Sequence, residues 1–336
     1  MTQSLGRRDF LRQSFAFSAL ATLGAHSAFG APVKASADPS YSHYLMIGDW
    51  GRDDSQIAQA QVAKTMAAYA REQAITTEAL LFLGDSWYGP MPHGVDDPRW
   101  KVQFEDMYPK SAFDCPIYSV MGNHDYQKMP GSKVEIELAY AKKPGTRWTQ
   151  PALWYSYDLP KKNPLMTVIA LDSNVPMGHR DDGVNFTLTA AQLAEQTAWF
   201  KAELEKPRTT PYLVVIAHHP VFSNGPHGDH KLLIQEWEPL LRKHKVHLYL
   251  AGHDHDLQHL EFESHPTSFV SSGAGGADLY TLKSDKAFRG PFAEKVYGFS
   301  HLEVTKQKLT LRHIEASGKV LHTFSKKPEG VLTLGS

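Results

Sequence analysis

The chain has 336 residues, 42% hydrophobic and 21% charged, a soluble globular profile long enough for one large domain or two small ones. Its net charge of -1 with histidines neutral removes any electrostatic argument for nucleic acid or an anionic membrane as a partner. The single cysteine, Cys115, excludes an intramolecular disulfide, so an exported form must draw its stability from a core, from metal, or from both.

Residues 1–37 are expected to stand outside the fold. Gly6-Arg7-Arg8-Asp9-Phe10-Leu11-Arg12 resembles a twin-arginine export signal, and an uncharged stretch, Gln13 to Val33, follows it. Small residues at Ala28-Phe29-Gly30-Ala31, or at Ala35-Ser36-Ala37, offer cleavage points. The stretch is long enough to consider as a membrane span. Its Ser, Thr, Gly and His content makes it weakly apolar, which favours a cleaved signal over a stable anchor. Such a signal implies the twin-arginine export machinery as a partner and a periplasmic or secreted destination. That machinery moves folded proteins, which suits a chain loaded with metal before export.

From His43 onward, short apolar runs alternate with amphipathic stretches. The runs His43–Gly48, Ala79–Gly84, Ile117–Met121, Thr167–Leu171, Tyr212–Ala217 and Val246–Ala251 predict strands: each is β-branched or aliphatic, short, and bounded by turn residues. Spacing predicts helices over Ser55–Gln73, Lys133–Lys143, Thr189–Glu205 and His230–His244, with Ser55 and Thr189 suited to N-caps. Between Gly298 and Ser325 the pattern changes to alternation around a turn at Ala316-Ser317-Gly318-Lys319, which predicts antiparallel β. Strand–helix alternation implies α/β layers, and the β-rich tail argues against a purely parallel sheet. Cys115, next to Pro116 in an apolar run, is expected to be a buried small hydrophobe.

The strands end in chemistry. Gly48-Asp49-Trp50-Gly51, Gly84-Asp85-Ser86-Trp87-Tyr88, Gly122-Asn123-His124-Asp125, Val215-Ile216-Ala217-His218 and Gly252-His253-Asp254-His255 each close a predicted strand. Sites in α/β sheets form at the carboxyl ends of strands, so these five should converge. Any one of them alone is an ordinary turn element. Five in order form a specific signal.

This ordered set, from about Tyr41 to Leu260, resembles the calcineurin-like metallophosphoesterases, and within them the small tartrate-resistant purple acid phosphatases. His218-His219-Pro220-Val221-Phe222-Ser223 and His253-Asp254-His255-Asp256-Leu257-Gln258 extend the match. The resemblance implies an α/β fold of mixed sheets, a four-layer αββα sandwich, in one catalytic domain over residues 38–336. It implies one metal held by Asp49, Asp85, Tyr88 and His255, and another held by Asp85, Asn123, His218 and His253, with Asp85 bridging. It implies His124 as the general acid, with His227 supporting it by holding phosphate or donating a proton. His219 stands where the small branch typically has an aromatic residue and is expected behind the ligands; Asp125 is expected to orient His124 or its loop. His93, His179, His230, His244, His247 and His259 carry no assignment.

Two cations roughly 3.5–4 Å apart can clamp phosphate oxygens, activate water and stabilise in-line displacement. The first set offers two carboxylates and a phenol, and a phenol ionises near pH 10 unaided. Only a strongly acidic cation holds it as phenolate in acid, so Fe(III) is expected there, with a divalent Fe, Zn or Mn beside it. The expected activity is hydrolysis of a small phosphorylated substrate, a phosphomonoester, at acid pH. A phosphodiesterase or nucleotide pyrophosphatase on the same scaffold is the alternative. A non-catalytic scaffold would be expected to have lost ligands, and all seven are present. The segments Gly89–Pro98, Ala141–Pro151 and Asn174–Asn185 are expected to rim the site.

Overall fold

A computed structural model describes residues 40–52, 54–127, 132–175, 187–283 and 289–335. The expected export signal, residues 1–37, lies outside the described residues, as do His179 and most of the 174–185 rim segment.

Two-residue periodicity sets the layers. In β1 (Ser42–Ile47), Tyr44 and Met46 pack into one cluster, while Leu45 and Ile47 pack into another. β2 (Thr77–Phe82) divides in the same way, Ala79 and Leu81 from Leu80 and Phe82. Both strands are therefore covered on two faces, which is why they read as continuous apolar runs rather than as alternating ones. Around them runs an eight-stranded sheet. Its order is β15 (Leu332–Leu334), β14 (Val320–Lys326), β13 (Leu309–Glu315), β12 (Gly298–Val304), β1, β2, β3 (Ile117–Ser119) and β4 (Trp148–Thr149). β1 to β4 are parallel, and β12 to β15 add antiparallel to the edge of β1.

A seven-stranded sheet faces it, in the order β11 (Phe292–Glu294), β9 (Leu257–Leu260), β10 (Ser268–Ser272), β8 (Leu248–Ala251), β7 (Tyr212–Ile216), β6 (Met166–Ala170) and β5 (Tyr155–Leu159). Its centre, β10, β8, β7 and β6, is parallel, and β9, β11 and β5 add antiparallel at the two edges. The cluster shared by the two sheets includes Tyr44, Leu81, Val120, Val168, Val214 and Leu250. Helix α1 (Ile57–Glu72) covers the outer face of the first sheet with Val62, Ala63 and Met66. The outer face of the second takes Phe200 and Leu204 of α4 (Ala190–Glu205), Leu233 of α5 (Lys231–Glu236) and Leu241 of α6 (Glu238–Lys243). The layers are helix, sheet, sheet, helix, as expected.

Each predicted strand is present; five end one or two residues before the predicted limit, where the chain is already leaving the strand, and β8 ends at its limit, Ala251, but begins two residues late, at Leu248. Thr189 caps α4 through a capping box with Gln192, which satisfies helix-end donors at both residues. Ser55 does not cap α1: Gln56 precedes it without a side-chain bond. The expected Lys133–Lys143 helix is α3 (Val134–Tyr140), with Lys133 preceding it. The expected His230–His244 helix is two short helices. Pro239 lacks an N–H and its ring crowds the carbonyl four residues back, so the chain breaks at Trp237 and restarts with proline in the first turn. The Ala141–Pro151 segment is not simply a rim loop, since it carries edge strand β4 and buries Trp148 in the first outer cluster. Cys115 is buried, and burial pushes its thiol up to about 12, as suits an inert residue.

Candidate metal centre

All five predicted strand ends come together. Asp49 leaves β1, Asp85 leaves β2, and Asn123 and His124 begin α2 (Asn123–Tyr126) after β3. His218 follows β7, and His253 and His255 follow β8, so both sheets contribute. The backbone turns abruptly where the ligand types sit: Asp49, Asp85 and His253 have φ of +59°, +50° and +70°. Side chains other than glycine rarely take this conformation, and it concentrates at functional sites. Packing is tight enough to require glycine at Gly122, where a Cβ would stand 2.2 Å from the Asp85 backbone nitrogen.

One half of the site gathers on Tyr88. Its hydroxyl lies 3.3 Å from Asp49 Oδ1, 3.3 Å from Asp85 Oδ2 and 3.1 Å from His255 Nε2. His255 gives its Nδ1 proton to the Asp278 carbonyl at 2.5 Å, so Nε2 turns a lone pair inward. The other half gathers on His218, whose Nε2 lies 3.1 Å from Asn123 Oδ1, 3.2 Å from His253 Nδ1 and 3.4 Å from Asp85 Oδ2. His218 Nδ1 is tied to the Leu83 carbonyl at 2.8 Å, again leaving Nε2 for the site. Asp85 is common to the two halves. Its Oδ1 also accepts from the His124 backbone N–H at 2.7 Å, and Asp49 Oδ2 accepts from that of His253 at 2.8 Å.

This donor set fits cations. Around Tyr88 three acceptors face one hydroxyl proton, and on His218 an imidazole lone pair faces an amide oxygen and a carboxylate. Lone pairs this close, buried from water, repel unless positive charge lies between them. The protein's own charges reveal the same imbalance. Burial pulls His218 down, yet Asp85 and Asp49 overcome it and push the ring up to about 10. Burial raises Asp49; it also opposes ionisation of Asp85, but His218 and His124 hold that carboxyl below the usual range. Tyr88 is driven well above its ordinary value by burial, then by Asp85 and Asp49. Neighbouring side chains therefore do not ionise the phenol, and only a strongly acidic cation would.

The predicted proton donors lie beside these groups. His124 is held through Nδ1 by Gln127 Oε1 at 2.9 Å, and its ring centroid is 4.1 Å from that of Tyr88. His227 is 37% exposed and pairs its Nδ1 with Asp254 Oδ1 at 2.6 Å. Asp125 does not touch the His124 ring. Its buried carboxylate accepts from the backbone N–H groups of Gly122, Trp87 and Ser86 at 2.8, 3.0 and 3.3 Å, clasping the Asn123 loop to the Asp85 loop. His219 is nearer the centre than expected: a ring nitrogen lies within 4.8 Å of ligand-type atoms on His218 and His253. Of the unassigned histidines, His247 and His259 make structural bonds away from these groups, while His230 accepts from the Leu233 N–H and packs its ring edge-on to His219, centroids 5.7 Å apart.

Sequence reasoning missed Asp254 as the anchor of His227. It also missed Tyr280, whose ring stacks on His255 at 3.9 Å, and the Asp278 carbonyl that fixes His255. Asp254 was visible between two predicted ligands. Tyr280 gave no signal, because its loop follows β10 and returns to the site only in three dimensions.

Comparison with known proteins agrees with this geometry. The sequence matches the calcineurin-like phosphoesterase family over residues 42–257. The chain belongs to that family. Among its members it is 30% identical to Tartrate-resistant acid phosphatase type 5 of Sus scrofa over 298 residues, 83% of this chain and 84% of the pig protein. The Homo sapiens protein of the same name is 31% identical over 297 residues, covering 83% and 88%. Purple acid phosphatase 7 of Arabidopsis thaliana is 30% identical over 311 residues, 88% of each chain. This calcineurin-like phosphoesterase is thus a metal-dependent phosphoester hydrolase of the purple, tartrate-resistant acid phosphatase type. In fold it is similar to GAP50, the anchor in the inner membrane complex of Plasmodium, with TM-score 0.71 and 20% identity over 88% of this chain and 90% of that one. It is also similar to purple acid phosphatase PPD1 from yellow lupin (Lupinus luteus) seeds, with TM-score 0.62 and 15% identity over 87% and 55%.

Proposed function

We propose that the protein is an exported acid phosphatase that hydrolyses small phosphomonoesters at a binuclear centre of Fe(III) and a divalent Fe, Zn or Mn. Asp49, Asp85, Tyr88 and His255 would hold the ferric ion and Asp85, Asn123, His218 and His253 its partner, with Asp85 common to both sets. The observation that carries this reading is the Tyr88 hydroxyl set among three acceptors, two of them carboxylates. More anionic donors on one side than on the other suit ions of unequal charge.

When bound, the metal pair supplies Lewis acidity towards phosphate oxygens and an activated water. The chain's own residues do the rest. The Leu83 and Asp278 carbonyls fix the ring orientations of His218 and His255. His124, whose Nδ1–H donates to Gln127 Oε1, delivers a proton from Nε2 to the leaving oxygen as an imidazolium and is left as the neutral ring. His227, placed by Asp254, supports the phosphoryl group from the opposite loop. Residues 38–336 form the catalytic domain, and residues 1–37 direct it through the twin-arginine machinery to the periplasm or beyond. Among the described residues no helix is long and apolar enough to cross a membrane.

The test is a visible spectrum with metal analysis on protein purified without chelator. A phenolate-to-iron charge-transfer band that disappears in Tyr88→Phe is expected, together with a preference for a phosphomonoester over its bis-ester. A colourless, fully active protein with two zinc or manganese ions would overturn the ferric assignment, and a strong diester preference would overturn the substrate class.

A further inference from the structure

His219 lies beside the proposed ligands but is held in the opposite sense. Its backbone N–H donates to Ser173 Oγ at 2.8 Å, and its carbonyl accepts from the Tyr249 hydroxyl at 2.8 Å, so the main chain is clamped on both sides. The ring meets the same Ser173 oxygen, Nδ1 to Oγ at 2.9 Å. Ser173 is fully buried, and among the described residues its hydroxyl has no other partner. One lone pair of that oxygen serves the backbone N–H, so the hydroxyl proton goes to Nδ1; otherwise it would be buried unsatisfied. With Nδ1 as acceptor, the neutral ring carries its proton on Nε2.

The adjacent His218 has the reverse arrangement, its Nδ1 donating to the Leu83 carbonyl and its Nε2 turned towards Asn123, His253 and Asp85. Two neighbouring histidines are thus set as opposite tautomers. The ring of His219 lies 4.3 Å from that of His253 and 4.9 Å from that of His218, and Nε2 has no hydrogen-bond partner among the described residues. Distance alone makes His219 a third ligand candidate with His218 and His253. The Ser173 bond makes it a hydrogen-bond donor instead.

We propose that His219 is a substrate-positioning residue. Its Nε2–H donates to a phosphoryl oxygen held on the His218–His253 side of the centre, and Ser173 sets the tautomer that makes this possible. The proposal rests on the phosphomonoesterase reading above.

The test uses metal-loaded enzyme and inorganic phosphate as the probe. One neutral hydrogen bond corresponds to a factor of up to about ten in affinity. His219→Phe is expected to raise the phosphate inhibition constant and KM by about tenfold, with kcat less affected and both metal content and the visible band unchanged. Ser173→Ala, which leaves the ring in place but frees its tautomer, should shift the same constants by a smaller factor. His219→Gln, which retains a donor, should recover part of the loss and serves if the Phe variant fails to fold. Loss of a metal ion in His219→Phe would make it a ligand and overturn the proposal, as would phosphate inhibition unchanged in all three variants. A wild type that neither cleaves phosphomonoesters nor is inhibited by phosphate would sink the functional reading itself, and the His219 role with it.

Discussion

Replacing Asp254 by asparagine isolates how a buried carboxylate places a partly exposed histidine. Asp254 is fully buried; Oδ1 takes the His227 Nδ1 proton at 2.6 Å, and Oδ2 accepts from the Ser223 hydroxyl. Ser223 Oγ in turn accepts from the Gly225 N–H at 2.8 Å and from Gln258 Nε2 at 3.0 Å. A Cβ on Gly225 would stand 2.3 Å from Asp254 Cγ, so the His227 loop lies directly on this carboxylate. Asparagine keeps the shape and removes the charge, and its NH2 then opposes the Ser223 hydroxyl proton. A hydrogen bond to an ionised group contributes about 1.5–3 kcal/mol and a neutral one about 1, so the change is worth roughly 0.5–2 kcal/mol. If His227 acts on the phosphoryl group only when so held, kcat/KM falls roughly 2- to 30-fold. The assay is kcat/KM on one phosphomonoester for wild type, Asp254→Asn, His227→Asn and the double variant. The double variant should be no worse than His227→Asn, because the aspartate acts through the histidine. Additive losses, or an Asp254→Asn enzyme with wild-type kcat/KM, would refute this chain of dependence.

Gly122→Ala would put a methyl carbon 2.2 Å from the Asp85 nitrogen and Oδ1; a destabilisation of about 1–3 kcal/mol and substoichiometric metal are expected by melting and metal analysis. Asp125→Ala strips the acceptor from three backbone N–H groups, at about 1–3 kcal/mol each if buried unsatisfied, and should lower Tm by more than about 6 °C. His322, between the sheets' edges, is pushed down to about 3 by burial and then by His259, whose Nδ1 is 2.9 Å from its Nε2. The unfolded chain takes up this proton below about pH 6.5 and the folded chain resists it, so the contribution is intact above 6.5 and is lost as pH falls towards 3. At pH 5 the loss is about 2 kcal/mol, and His322→Phe, which keeps the stacking on Phe292, should flatten the fall in Tm between pH 7 and 5 by roughly 4–8 °C. An unchanged slope would mean that other groups dominate the acid response.

What was legible in the sequence was what local pattern encodes. Apolar runs closed by a ligand type, with glycine before it at β1, β2, β3 and β8 and alanine at β7, located those strands; a plain apolar run located β6, and alternation located β12 to β14. Strands β4, β5, β9, β10, β11 and β15 escaped: β4 has two residues and β11 and β15 three, too few for a period, and β5, β9 and β10 carry polar residues that break the apolar run. The break at Trp237 escaped because apolar spacing continues through it, although Pro239 carried the warning. Hydrogen bonds between distant segments were not legible at all. Ser173 meets His219 across 46 positions, and Tyr280 reaches His255 from beyond β10. The tautomer of His219 depends on such a contact, so the same dipeptide, His218-His219, could not reveal that one ring offers a lone pair and its neighbour a proton.

Each proposed ligand set draws on both sheets. Asp49, Asp85, Tyr88 and Asn123 follow strands of the first sheet, and His218, His253 and His255 those of the second. Neither sheet alone can surround a cation. Their spacing is set by the shared core, where Leu81, Val120, Val214 and Leu250 are each fully buried on strands or strand ends that lead to a ligand. Cations that bind the folded chain and not the unfolded one stabilise that spacing by mass action. A cavity in this core therefore has two consequences. Val214→Ala should lose about 1–3 kcal/mol of stability, and because it lets the sheets shift, it should also weaken retention of the ion in the less anionic ligand set, proposed to be divalent, before that of the ion in the other. Timed dialysis against chelator, with metal analysis and melting on the same samples, reads both quantities. Equal loss of the two ions, or stability lost with no change in retention, would show that the loops carrying the ligands are set independently of the core beneath them.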